Sequence, residues 1–249
     1  MEQKKVIVCD LDGTLAESKS TLSDSMSKTI GEMLKTHYFA VISGGDWPQF
    51  EKQFLSNFHI EPGRMRNLFL FPTSGAECMR WQDGEWTQVY DRLLTADEKE
   101  KVLTGFSQAI KDSGVDVPAS SYGDIIEDRG EQITFSGRGQ HAPNEVKSVW
   151  DPDQKKRRAI VAELQKHISD FEISIGGETS IDVTRKGVNK AYAIYKLEGI
   201  LGVTKMDIVY IGDALYPGGN DTKAREAGVE CIQVSGPAET EKLLQSMIV

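Results

Sequence analysis

The chain has 249 residues, 39% hydrophobic and 27% charged, a globular composition that excludes a disordered, collagenous or coiled-coil protein. Its formal net charge of −9 argues against binding a nucleic-acid backbone or an anionic membrane surface. No run is long enough to span a bilayer, and Cys9, Cys78 and Cys231 form no Cys-x-x-Cys pair, which together lead us to expect a cytoplasmic protein with reduced thiols.

Residues 6–9 are apolar and β-branched without alternation, as in a strand covered on both faces of a parallel sheet. Met26, Ile30, Met33 and Leu34 recur at helical spacing over 21–35. A short apolar strand over 39–42 then stops at Ser43-Gly44-Gly45. A helix over 47–58 and a strand over 68–71 complete a β-α-β-α-β series, the signature of a doubly wound α/β layer.

After Phe71 the alternation is interrupted. Pro72-Thr73-Ser74-Gly75 breaks the strand, and residues 78–89, with Asp83-Gly84 in the middle, read as a β-hairpin. Thr95 and Glu98 form a capping box that opens a helix ending near Gly114. Strand-like stretches follow over 122–126 and 131–136. Asp151-Pro152 then opens a helix running to residue 169, whose basic run Lys155-Lys156-Arg157-Arg158 reads as a solvated first turn. Two short strands, over 171–175 and 180–183, surround Gly176-Gly177. The α/β pattern resumes with a helix over 189–201, a strand over 207–211 reaching Gly212-Asp213, and a helix–strand–helix ending near Met247. The expected architecture is a doubly wound, Rossmann-like parallel-sheet core, residues 1–86 and 186–249, with an inserted α+β cap domain over 87–185.

Asp10 and Asp12 stand two residues apart where the first strand ends, the place where α/β sheets bind ligands, and Gly13 lets the backbone turn close to an anion. Carboxylates so close repel unless a cation or a shared proton relieves them. A hard divalent ion fits that need, and Mg²⁺ is the commonest choice beside phosphates. Taken alone, Ser43 could cap the following helix, and Asp213 and Asp221 could be ordinary structural caps.

The motifs fall in an order that resembles the haloacid-dehalogenase superfamily of phosphatases and phosphomutases. Asp10-Leu11-Asp12-Gly13-Thr14 is similar to its first motif, Ser43 to its second, Lys190 to its third, and Gly212-Asp213 with Asn220-Asp221 to its fourth. That resemblance implies an enzyme in which Asp10 attacks phosphorus to form an aspartyl-phosphate and Asp12 acts as acid and base. Ser43, Gly44 and Lys190 would bind the phosphoryl group, with Lys186 in reserve for Lys190. Asp10, Asp12 through its carbonyl, Asp213 and Asp221 would form the Mg²⁺ site.

The stretches around Gly137-Arg138-Gly139, residues 174–183 and Pro217-Gly218-Gly219-Asn220-Asp221 resemble the eukaryotic phosphomannomutase family, a branch with a large α+β cap. By that resemblance Arg129, Arg138, Ser180 and Asp182 would hold the substrate from the cap. Two departures point instead toward hydrolysis. Residues 140–145 lack the arginine that the mutases use for a second phosphate, and Ser43-Gly44-Gly45-Asp46 places its hydroxyl first, as in the hydrolases. The resulting expectation is a Mg²⁺-dependent phosphohydrolase for a small phosphorylated metabolite, a sugar phosphate above others, with a phosphomannomutase-type mutase as the alternative.

Overall fold

A computed structural model describes residues 4–117 and 122–248. In chain order the elements are β1 (Val6–Asp10), α1 (Asp24–Met33), β2 (Tyr38–Ile42), α2 (Trp47–Gln53), α3 (Pro62–Met65), β3 (Leu68–Phe71), β4 (Cys78–Gln82) and β5 (Glu85–Tyr90). There follow α4 (Ala96–Ser113), β6 (Ile126–Asp128), β7 (Ile133–Ser136), α5 (Asn144–Lys147), α6 (Lys155–His167), β8 (Phe171–Gly176) and β9 (Ser180–Arg185). The chain closes with α7 (Lys190–Leu201), β10 (Ile208–Gly212), α8 (Thr222–Glu226), β11 (Glu230–Gln233) and α9 (Pro237–Met247).

Two compact units emerge, one from residues 1–91 and 189–249, the other from 92–188. The breaks fall a few residues beyond the expected 86/87 and 185/186, so that β5 stays whole with the first unit. The reason is pairing: β4 and β5 form a hairpin whose inner strand bonds antiparallel to β3, which extends the first unit's sheet.

That sheet runs β11-β10-β1-β2-β3-β4-β5, with its first five strands parallel. Every residue of β1 is buried, as its unbroken apolar run requires. Alternation along the strands divides them between two cores. Ile7, Cys9, Phe39, Val41, Leu68 and Leu70 pack with Met26, Ile30, Phe50 and Leu244 from α1, α2 and α9, and with Phe54, which caps the end of α2. Val6, Val8, Ala40, Ile42, Phe69 and Tyr210 pack with Ala193, Ile194, Leu197 and Ala224 from α7 and α8. The chain winds from β1 outward through β2 to β3, then returns to the other side of β1 with β10 and β11. β1 and β10 therefore flank the topological switch point.

The second unit is a four-stranded antiparallel sheet, β6-β7-β9-β8. One face carries Ile133, Phe135, Ile181 and Val183 against Val102, Phe106, Ile160 and Leu164 of α4 and α6. Thr134, Ser136, Asp182 and Thr184 alternate with these residues, which makes the opposite face polar. The Thr95–Glu98 capping box is formed, and Gly114 ends α4 in the left-handed conformation.

The helix expected to open at Asp151-Pro152 differs from expectation. α6 begins at Lys155 behind Gln154, whose φ is 60°. Asp151 caps it from a distance, accepting from the amides of Lys156 and Arg157 at 2.9 and 3.1 Å. Arg157 is no solvated residue: its side chain is buried and pairs with Asp151 at 2.8 Å. Among the described residues, no helix is long and apolar enough to cross a membrane.

Candidate active site

The parallel strands β10, β1 and β2 are neighbours, so their carboxyl ends bring Gly212-Asp213, Asp10 and Ser43 to one edge of the sheet. Asp10 continues the face of Val6 and Val8, the side on which α7 lies. It is 4% exposed. Beyond Asp10 the chain turns sharply: Gly13 has φ 80° and donates its amide to Ala16 O at 2.8 Å. A Cβ on Gly13 would sit 2.8 Å from a carboxylate oxygen of Asp213, so this position also gives Asp213 its room.

Lys190 opens α7 and points its ammonium into the carboxylates. Nζ donates to Asp10 Oδ1 at 2.6 Å, to Asp221 Oδ1 at 2.5 Å and to Tyr210 Oη at 3.1 Å. Asp221 in turn accepts from Tyr210 Oη on Oδ1 and from the Ala214 amide, at 2.9 Å, on Oδ2. Asp221 lies next to the start of α8 but makes no side-chain cap bond there, so its carboxylate belongs to the site. Gly212 makes this approach possible, because a Cβ there would lie 2.3 Å from Asp221 Oδ2. Asp213 is fixed by Thr14: the Thr14 hydroxyl donates to Asp213 Oδ1 at 3.1 Å and accepts from the Asp213 amide at 3.0 Å. Ser43 is buried, accepting from Gly45 N at 3.2 Å. The helix cap is Asp46, not Ser43, since Asp46 Oδ1 accepts from Gln49 N at 3.0 Å.

The charges at this strand edge act on one another. Burial pushes the Asp10 carboxyl up; Lys190 opposes that rise, while Asp221 and Asp213 add to it. Burial would depress Lys190, but the Asp10 and Asp221 carboxylates outweigh it and hold the ammonium above its ordinary value. Burial and then the Asp221 charge raise Asp213. Asp10, Asp213 and Asp221 each offer a carboxylate oxygen, and these atoms lie within 4.8 Å of one another. Three carboxylates face one ammonium, and the surplus negative charge with an all-oxygen donor set fits a hard divalent cation. Asp12 belongs to the same loop, but its carboxylate is turned to α2, accepting from Gln53 Nε2 at 2.8 Å, Gln49 Nε2 at 3.3 Å and Lys19 N at 2.6 Å.

Lys186, the reserve for Lys190, lies in the second unit and donates to Ser169 O and Phe171 O at 3.3 and 3.4 Å. The other second-unit candidates divide. Arg129 pairs with Glu127 at 2.6 Å and donates to Gln140 Oε1 at 3.3 Å. Arg138 is half-buried beside Gly137, which packs flat against Trp150. Asp182 is buried, accepting from Thr134 Oγ1 at 2.9 Å, and half-buried Ser180 stands opposite Ser136 in the sheet.

Sequence reasoning missed Thr14 as the clamp on Asp213 and Tyr210 as the third partner of Lys190. Thr14 carried a signal, its place in the first motif. Tyr210 carried none, because it reads as apolar filling in a buried strand.

The haloacid dehalogenase-like hydrolase family profile matches residues 7–222. The chain is 26% identical to the phosphomannomutase of Schizosaccharomyces pombe over 223 residues, covering 88% of this chain and 84% of the relative. It is 27% identical to the phosphomannomutase of Arabidopsis thaliana, covering 89% and 87% respectively. Among solved structures, an N-terminally truncated IMP-nucleotidase of Plasmodium falciparum matches with a TM-score of 0.75 at 19% identity, over 99% of this chain and 71% of that one. A haloacid dehalogenase-like hydrolase from Bacteroides thetaiotaomicron matches with a TM-score of 0.60 at 15% identity, over 98% and 99%. These two structures bear on the fold alone, whereas the profile spans β1 to the start of α8 and takes in Asp10, Ser43, Lys190, Asp213 and Asp221. The chain belongs to the haloacid dehalogenase-like hydrolase family.

Proposed function

We propose that this chain is a Mg²⁺-dependent phosphomonoester hydrolase for a small phosphorylated metabolite, best a sugar phosphate, working through an aspartyl-phosphate on Asp10. The observation that carries the reading is Lys190 Nζ, which lies 2.6 Å from Asp10 Oδ1 inside a group of three carboxylates. An ammonium so placed fixes the Asp10 carboxylate and offers positive charge where a phosphoryl group would arrive. An Asp10 oxygen attacks phosphorus, the ester P–O bond breaks, and the leaving oxygen takes a proton from Asp12. Asp12 then removes a proton from water, which attacks the same phosphorus and releases inorganic phosphate and free Asp10. Ser43 and the Gly44 backbone would steady the phosphoryl oxygens. Asp10, Asp213, Asp221 and the Asp12 carbonyl would hold Mg²⁺, which when bound offsets the phosphate charge. Arg138, Ser180, Asp182 and Arg129 are the second unit's candidates for recognising the rest of the substrate. Three unpaired thiols, two of them buried, fit a reducing, cytoplasmic setting.

Water is favoured as the acceptor because the position after Gly139 is Gln140, whose Oε1 accepts from Arg129. That position offers no cation for a second phosphate. The similarity to phosphomannomutases favours a second reading, in which the phosphoryl group returns to a sugar. One assay separates the two: supply mannose 1-phosphate with Mg²⁺ and a catalytic amount of hexose bisphosphate, then measure free phosphate against hexose 6-phosphate. Free phosphate is expected; stoichiometric 6-phosphate with little free phosphate would assign the chain as a mutase. In either case Asp10→Asn is expected to abolish turnover with an unchanged circular-dichroism spectrum.

A further inference from the structure

Asp12 is held by a pair of glutamines. Gln49 and Gln53 lie one helical turn apart on α2, and Phe50 and Phe54 beside them are buried in the core and fix that helix. A carboxylate only accepts hydrogen bonds, so both amides turn their NH₂ groups toward it. The two Asp12 oxygens are treated unequally. Oδ1 receives two short bonds, from Lys19 N at 2.6 Å and Gln53 Nε2 at 2.8 Å. Oδ2 receives one long bond, from Gln49 Nε2 at 3.3 Å, and that same NH₂ also reaches Gln53 Oε1 at 3.0 Å.

A second feature of the sequence serves this arrangement. Gly45 does not need positive φ, yet a Cβ there would lie 2.6 Å from Gln49 Cδ, 2.8 Å from its Oε1 and 2.9 Å from its Nε2. The glycine that follows Ser43-Gly44 thus makes room for the Gln49 amide.

Building on the proposed hydrolase chemistry, we infer that Asp12 Oδ2 is the oxygen that gives and takes the proton, and that Gln49 and Gln53 are positioning residues that set the rotation of this carboxylate. Oδ1 is saturated by donors and cannot accept a proton without losing one of them. Oδ2 keeps a lone pair free, and its single long contact can slip to Gln53 Oε1 while the proton is on. Gln53 supplies the fixed end of the clamp and Gln49 the movable end.

The test compares two substrates in Gln49→Leu, Gln53→Leu and Gly45→Ala: an alkyl phosphate, whose leaving oxygen needs a proton, and p-nitrophenyl phosphate, whose leaving group departs without one. All assays use the full chain with Mg²⁺, and melting temperature reports folding. For Gln49→Leu and Gly45→Ala, kcat/KM on the alkyl ester, which reports the steps up to phosphorylation of Asp10, is expected to fall roughly 10- to 100-fold, with kcat/KM on the aryl ester changed by less than about threefold; kcat, which also contains the attack of water that Asp12 assists, is expected to fall on both. Gln53→Leu is expected to show the same selectivity with a larger loss. Equal loss of kcat/KM on both esters, or no loss on either, overturns the inference. An unmodified chain with no Asp10-dependent turnover of either ester would instead overturn the hydrolase reading.

Discussion

At the scale of single residues, buried charge is answered by directed partners, and removing one partner leaves the other exposed to an apolar interior. Arg157 shows this apart from the candidate site. Its guanidinium donates to Asp151 Oδ2 at 2.8 Å, to Asp151 O at 3.2 Å, and to Gly176 O and Gly177 O at 3.1 and 2.7 Å, so one side chain ties the start of α6 to the turn between β8 and β9. Arg157→Met strands the Asp151 carboxylate, and a loss of about 3–5 kcal/mol of stability is expected in urea denaturation; a loss below about 1 kcal/mol would mean the pair contributes little. Tyr210 makes a similar case within the site. Tyr210→Phe keeps the ring and removes the hydroxyl that donates to Asp221, so a loss of about 1.5–3 kcal/mol is expected in thermal denaturation. The contrast with the sequence is instructive here. The candidate-site residues Asp10, Ser43, Lys190, Asp213 and Asp221 stood out in the sequence because their types and order carry chemistry. Arg157 and Tyr210 did not, since a basic run reads as solvated and a strand tyrosine reads as apolar until their partners are known.

At the scale of elements, local signals predicted α4 well because its ends are encoded by neighbours in sequence. Thr95 and Glu98 start it and Gly114 stops it. The same Glu98 also receives Arg185 of β9 at 2.6 Å, a long-range contact that no local pattern contains. The Arg185 hydrogen bond, with help from Thr95, lowers the Glu98 carboxyl from 4.5 to about 2. A depressed carboxyl stabilises the fold above its unfolded value and ceases to do so as pH falls through its folded value. The pair is partly exposed, with side-chain accessibilities of 33% and 29%, so solvent screens it and the effect is small, up to about 1 kcal/mol. Glu98→Gln is therefore expected to lower the melting temperature at pH 7, with the gap to the parent chain closing between pH 4.5 and about 2. A gap that stays constant across that interval would assign the loss to helix capping alone. The hairpin of β4 and β5 gives the opposite lesson. Its turn was legible at Asp83-Gly84, but its attachment to β3 was not, because register across strands is a tertiary matter.

At the scale of the whole molecule, the first unit concentrates carboxylates at the carboxyl edge of its parallel strands. Strand identity was readable from apolar runs; the order β11-β10-β1-β2-β3 that makes Asp10, Ser43 and Asp213 neighbours was not. Order is set by crossovers between distant segments, which no apolar run encodes. The surplus of carboxylate over ammonium at this edge has a thermodynamic consequence: a cation that binds only the folded chain raises its stability, by about 2.7 kcal/mol at one hundred times its dissociation constant. Adding Mg²⁺ is thus expected to raise the melting temperature, and Asp213→Asn to abolish the rise while the chain stays folded. A rise of equal size in Asp213→Asn would place the cation elsewhere.

In the proposed mechanism Asp10 carries the phosphoryl group. Its most direct test is to quench the enzyme in acid during turnover of a radiolabelled phosphate ester, reduce the trapped acyl-phosphate with borohydride, and find the reduced residue by peptide mass spectrometry. Homoserine at position 10 is the predicted result. Turnover with no acid-stable label on the protein before reduction, or a reduced residue at any other position, would contradict it.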